Sequence, residues 1–205
     1  MKLFALCLLA TSLWAQPRVV FLKAFPGSSP EWLQITVCKD GKAVYTDAKD
    51  DPRPLTFDLN PEDTQAIFAL AEKLNKFSRP LESGLPVAKM GEKMFRWDDG
   101  PDSAEVKFNH TQDLDAQALH DWFEKISETM NNRINLERAM RFDKLGVNKA
   151  VLQLQTTWER KRIVAPEQFL KLLERIVKSE SYLNMARDRA AFLANSFRAE
   201  ATPRP

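Results

Sequence analysis

The sequence predicts an α+β fold: an antiparallel sheet from two hairpin–helix units, followed by a C-terminal helical extension of three to four helices. Three observations carry that expectation. Short runs rich in Val, Ile, Phe and Trp, separated by turn residues, recur as far as Asn109 and alternate apolar with polar as half-buried strands do. Two stretches of this region read alike. Beyond Thr129 the strand signals stop, and apolar residues recur at helical spacing instead.

Leu3–Trp14 is an uncharged, mostly apolar run behind Met1-Lys2, with the small Ala15 before Gln16-Pro17. This is the layout of a secretory signal peptide. The run falls short of the ~20 residues that span a bilayer, so cleavage is expected rather than permanent anchoring. Cys7 does not suit lipidation, because Leu6 stands where a small residue belongs. No later segment is long and apolar enough to cross a membrane, so the mature chain is expected to be soluble, and secreted or periplasmic. Once Cys7 leaves, Cys38 is alone: a buried small hydrophobe, or a free thiol able to pair with another chain.

Arg18–Ala24 reads as the first strand, broken by Pro26-Gly27-Ser28-Ser29-Pro30. Trp32–Cys38 alternates, with Leu33, Ile35 and Val37 on one face and Trp32, Gln34, Thr36 and Cys38 on the other. Asp40-Gly41 before Ala43-Val44-Tyr45 predicts a hairpin with a two-residue turn. That register sets Val44 beside Val37 and Ala43 beside Cys38, which places Cys38 on one face with Tyr45. A short strand over Leu55–Leu59 follows. Asn60-Pro61-Glu62-Asp63 then opens a helix with a cap, a first-turn Pro and early acids, and Ile67, Leu70, Ala71 and Leu74 face inward. Val87–Trp97 and Glu105–Asn109 read as further strands around an Asp98-to-Ser103 turn. A second helix starts near Asp113, with Leu119, Trp122, Phe123 and Ile126 inward.

The two alike stretches run in parallel. Gly41-x-x-Val44-Tyr45 recurs as Gly91-x-x-Met94-Phe95, Leu55-x-Phe57 as Val106-x-Phe108, and Glu72-Lys73-Leu74 as Glu124-Lys125-Ile126, at offsets of 50 to 52. Both read strand–loop–strand–helix, a plan that can place two helices on one face of a shared sheet. The hairpin–helix plan with its Pro26-Gly27-Ser28-Ser29 loop resembles small secreted protease-inhibitor-like domains in outline. No residue motif carries that likeness, so it assigns no function.

In the second half, Gly146 reads as a helix stop and Asn148 as the next cap. Val151, Leu154 and Trp158, then Phe169, Leu172, Leu173 and Ile176 after Pro166, then Tyr182, Ala186, Leu193 and Phe197 form apolar stripes. The expected organisation is a signal peptide over 1–15, a strand-rich domain over 16–128, a helical extension docked on it over 129–200, and a frayed tail over 201–205.

Charge divides at the same place. Residues 1–128 hold 15 basic and 20 acidic groups, and residues 129–205 hold 15 basic and 8 acidic, which together make the net +2. That split aids docking of the halves, or turns the basic helices toward an anionic partner. Arg160, Lys161 and Arg162 form the sharpest basic cluster. A balance this near neutral gives no reason to expect nucleic acid.

Catalytic motifs are absent from the sequence. It has no Gly-rich phosphate loop, no His-Glu-x-x-His and no Gly-x-Ser-x-Gly. Its two histidines, His110 and His120, are ten residues apart, not at the i, i+4 spacing of a helical ligand pair. Asp98, Asp99 and Asp102 offer three carboxylates to a hard cation, although acidic turns are common for conformational reasons alone. Asn109-His110-Thr111 fits the N-glycosylation pattern. No cofactor is expected. The expectation is a non-enzymatic secreted or periplasmic module that binds a protein or anionic envelope material. The alternative is a hydrolase working through scattered carboxylates.

Overall fold

A computed structural model describes residues 16–89 and 91–201. The expected signal segment with Cys7, and the expected tail beyond Ala201, lie outside the described residues.

Strands β1 (Arg18–Ala24), β2 (Trp32–Cys38), β3 (Lys42–Thr46), β4 (Leu55–Asp58), β5 (Glu92–Asp99) and β6 (Asp102–Phe108) form one antiparallel sheet in the order β4-β3-β2-β1-β5-β6. The two alike stretches take mirrored places in it. β2, β3 and β4 step outward on one side, β1, β5 and β6 on the other, and each series feeds a helix. These are α1 (Pro61–Lys73) and α2 (Leu114–Phe142). Both helices cover the same face of the sheet. Ile67, Phe68 and Ala71 of α1 and Leu119, Phe123 and Ile126 of α2 share one core with Phe21, Ile35, Tyr45 and Phe95.

Local chemistry explains the helix starts. The Asn60 side chain accepts the Asp63 N–H at 2.7 Å, with Pro61 at the first turn. Asp113 accepts the Ala116 N–H at 3.0 Å and is itself held by Arg79 at 2.5 Å. Between α1 and β5 the chain passes through Asn75, Lys76 and Phe77, all at positive φ. That turn carries Phe77 into the core, where it is 1% exposed. β5 starts at Glu92, later than the sequence predicts, just after Gly91. A Cβ on Gly91 would lie 2.4 Å from the Ala24 carbonyl oxygen, so only glycine admits this approach.

The β2–β3 hairpin differs from expectation by one residue. The Gly41 N–H donates to the Cys38 carbonyl at 3.0 Å, and Gly41 takes φ +89°, so the loop has three residues rather than two. The register becomes Val37↔Ala43 and Thr36↔Val44. A one-residue slip exchanges the faces of a strand. Tyr45 therefore points into the core at 1% exposure, and Cys38 shares the opposite face with Trp32 and Val44. No described element covers that outer face. Its central Val20 and Met94, at 8% and 9% exposure, belong to neither of the hydrophobic cores.

Of the two fates open to Cys38, the buried small hydrophobe is consequently not the one it takes. It is a free, half-buried thiol whose pKa is raised, first by burial and then by Asp40. In the chain beginning at Gln16, where it is the sole thiol, Cys38 should react with a disulfide reagent without denaturant, faster as pH rises. Labelling that waits for denaturant would contradict an open outer face.

The 29 residues of α2 span about 44 Å and run through the 128/129 composition change without a break. The first half of α2 serves the sheet core. Its second half joins α3 (Val147–Glu159), α4 (Leu170–Lys178) and α5 (Asn184–Ala201) around a separate core of Leu136, Val151, Leu154, Phe169, Leu173, Ile176, Leu193 and Phe197. The stripes read from the sequence thus bury against each other and against α2, not against the sheet. Val164 and Ala165 are the residues of the α3–α4 connection that reach the sheet core. Gly146 opens α3 instead of ending α2, and Asn148 lies inside that helix.

Candidate functional site

The sequence-derived candidates do not converge. Gly100, at φ +65°, and Pro101 make a tight turn between the paired Asp99 and Asp102. Strand alternation sends the adjacent Asp98 and Asp99 to opposite faces. Asp98 is occupied by Arg18, whose Nη2 lies 2.6 Å away. Among the described residues, no group of three or more His, Cys, Asp and Glu is placed to hold a metal ion.

The basic cluster splits as well. Arg160 and Lys161 are exposed beyond the end of α3, while Arg162 turns inward. Its Nε and Nη2 donate to Glu128 at 3.1 and 2.8 Å, and its Nη1 donates to Asp121. Those partners, Glu128 foremost, hold its proton more firmly than in a free guanidinium. Arg162 is a tie between the α3–α4 connection and α2, not a free anion-binding group. The Asn109 side chain is also engaged, donating to the Ala88 carbonyl at 3.2 Å.

A polar group at one end of the sheet core has no signature in the local sequence. Lys23 and Lys93 are register partners, and Lys23 Nζ lies 2.9 Å from Glu124 of α2. Burial, then the Lys23 charge, lowers the pKa of Lys93, whose Nζ donates to the Asn109 carbonyl at 2.9 Å. Burial opposes ionisation of Glu124. The His120 and Lys23 interactions outweigh it and bring its pKa to about 2. His120 Nε2 is 3.2 Å from Glu124 but off the hydrogen-bond direction, and its ring packs edge-on to Phe21 at 5.5 Å. Perturbed groups of this kind occur in active sites. Here Lys23, Lys93 and Glu124 already satisfy one another or the backbone, which is the behaviour of an ion-pair network that closes a core.

Several cavities carry polar groups, and two of them are of similar size. One of about 610 Å³ lies between the start of α1 and the α3–α4 connection and is lined by Glu62, Asp63, Glu167 and Glu200. Burial, then the Glu62 charge, raises the carboxyl pKa of Asp63 against the opposing hydrogen bond from Asn60. Another cavity of about 610 Å³ runs between α2 and α3, lined by Asn131, Asn132, Asn135, Gln153 and Thr157 among others.

The most unusual surface is the free end of the helical region. α2 stops at Phe142, and the Asp143 side chain accepts the Gly146 N–H at 2.9 Å, turning the chain into α3. Phe142 and Leu145 flank this turn at 75% and 74% exposure. The start of α5 meets them there, through a Tyr182 hydroxyl that donates to the Met140 carbonyl at 3.5 Å. It brings Leu183 and Met185, which are 48% and 61% exposed.

Further along, Arg189 of α5 donates to Gln155 at 2.8 Å and to Asn148 at 3.1 Å, locking α5 beside α3. Leu152 lies on the α3 face between those two acceptors, and Met185 and Phe192 flank Arg189 on α5. Four of the nine exposed large hydrophobics among the described residues thus belong to this end, while Leu152 and Phe192 lie farther along α3 and α5, Phe192 against Trp158 in the last turn of α3. Leu152 and Phe192 sit next to the stripe residues Val151 and Leu193 in sequence. Apolar residues just off a stripe were the available signal. No protein-family model and no curated protein matches the chain.

Proposed function

We propose that this is an exported, non-enzymatic binding protein, secreted or periplasmic, that docks the free end of its helical region on a partner in the cell envelope. The observation that carries this reading is the gathering of Phe142, Leu145, Leu183 and Met185 at one end of an otherwise well-buried helical core. Contiguous exposed apolar groups rimmed by polar ones mark interaction surfaces. The apolar run ahead of Gln16 supports export, and the mature chain is expected to begin near Gln16. N-terminal sequencing of the exported form that returned Met1 would contradict this.

The docking surface is tested with the double variant Phe142→Ser, Leu145→Ser. Both side chains are largely exposed, so its melting temperature should match the wild type. Its binding to an isolated envelope fraction should fall by about tenfold or more, since two large apolar groups no longer leave water. Unchanged binding would refute the reading.

One observation favours a hydrolase instead: the carboxylate-lined cavity with the raised pKa of Asp63. Two of its acids already have structural partners, Asp63 with Asn60 Nδ2 at 3.0 Å and Glu200 with Trp158 Nε1 at 2.9 Å. Turnover of ester, peptide or glycoside substrates that Asp63→Asn abolished would establish the enzyme reading over the binding one.

A further inference from the structure

We infer that the partner of the helical end is an anionic lipid bilayer, with Phe142 and Leu145 inserted at the headgroup level; this rests on the reading of that end as the docking surface. Three observations point to lipid.

The first is shape. Phe142 and Leu145 project from a turn at 75% and 74% exposure, so the apolar groups stand out from the body. Large apolar side chains left this exposed at a helix end suit shallow entry into a headgroup layer.

The second is charge. Residues 138–149 and 178–189, which build this end, hold seven Lys and Arg against three Asp and Glu. Arg162, Arg133 and Lys125 elsewhere are neutralised by carboxylates. None of the seven at this end forms an ion pair among the described residues. Arg187 and Arg189 bind neutral acceptors, the Val177 carbonyl and the Gln155 and Asn148 side chains, which leaves their charge uncompensated.

The third is the arrangement of the two kinds of group. Arg141 stacks over the Phe142 ring at 5.1 Å, and Lys144 separates Asp143 from Leu145. Cations are thus interleaved with the apolar groups. Lysine is depleted at protein interfaces, whereas Phe and Leu rimmed by Lys and Arg is the composition of surfaces that bind anionic lipid.

The test uses the chain beginning at Gln16, so that Leu3–Trp14 cannot act as an anchor. Every residue of both cores lies between Val19 and Phe197, so this chain keeps the whole fold. It should sediment with phosphatidylcholine vesicles that contain phosphatidylglycerol and not with phosphatidylcholine vesicles alone, and rising salt should release it. Phe142→Ser with Leu145→Ser, and separately Lys144→Glu with Lys149→Glu, should each weaken vesicle binding by about tenfold or more at unchanged melting temperature. Failure to bind phosphatidylglycerol vesicles at low salt, or equal binding by the variants, overturns the inference. If those vesicles are not bound but the isolated envelope fraction is, in a manner that Phe142→Ser with Leu145→Ser abolishes, the partner is a protein. The lipid inference then falls while the docking surface stands. If neither is bound, both fall. A dimer in solution that the apolar variant converts to monomer would identify the end as a self-association face and also overturn the lipid inference.

Discussion

Replacing Phe95 with Ala should cost about 3–5 kcal/mol of folding stability, the loss typical of deleting a buried aromatic side chain from a packed core. Phe95 is fully buried on β5, next to the central strand β1. Its ring lies 5.0 Å from Phe108, 5.4 Å from Phe77, 5.6 Å from Phe21 and 6.0 Å from Phe123. These neighbours come from β6, the turn after α1, β1 and α2, so the cavity left by Ala has walls on every side and little freedom to collapse. Urea denaturation gives the loss directly, as a lower midpoint at unchanged slope. A loss below about 1 kcal/mol would mean that this aromatic cluster is not the centre of the sheet core.

Phe197→Ala should be comparably damaging, at about 3–5 kcal/mol, because Phe197 holds the same position in the second core. It is fully buried on α5, with its ring 5.9 Å from Trp158 on α3 and 6.2 Å from Phe169 at the entrance to α4. Trp158 is only half-buried, edge-on to Phe192 and Phe197, and its Nε1 donates to Glu200. Trp158→Ala should therefore cost less, about 1–3 kcal/mol. Both losses are expected in the isolated protein. If the helical stripes instead waited exposed for a partner, neither substitution would lower the melting temperature. The second core lies along the far half of α2, which also packs on the sheet, so helix α2 couples the two cores mechanically.

The elements that could be read in the sequence are those written in local chemistry. Asn60-Pro61 and Asp113 announce α1 and α2 because a cap satisfies helix-end N–H groups within a few residues. The alternation of Trp32–Cys38 survives intact as a strand with one buried face. The mirrored places of the two alike stretches follow from repeated order along the chain. What could not be read depends on competition between local solutions, or on contacts distant in sequence. Asp40-Gly41 suits both a two-residue and a three-residue hairpin, and the form adopted is the one in which the Leu59 N–H donates to the Gly41 carbonyl, an approach so close that a Cβ on Gly41 would crowd the Leu59 carbonyl. Gly146 looks like a helix stop, but Asp143 caps its N–H and restarts the helix.

The same limit explains the site. Arg160, Lys161 and Arg162 form one charge cluster in sequence, yet Arg162 finds Glu128 and Asp121 on α2 and leaves the other two behind. The Lys23, Lys93 and Glu124 network joins residues from two strands and a helix. Helical periodicity identifies the buried stripes well. It is silent on Phe142, Leu145 and Met185, which only the packing of α2, α3 and α5 reveals as one surface.

Hydrogen–deuterium exchange on the chain beginning at Gln16, with and without phosphatidylglycerol-containing vesicles, tests the docking surface most directly. Amides buried by a partner exchange more slowly, and the pattern locates the contact whatever its energy. Added protection is expected over residues 140–147 and 181–187, with the outer face of the sheet around Val20, Trp32 and Met94 unchanged. Protection on that outer face, with none at the helical end, would contradict it.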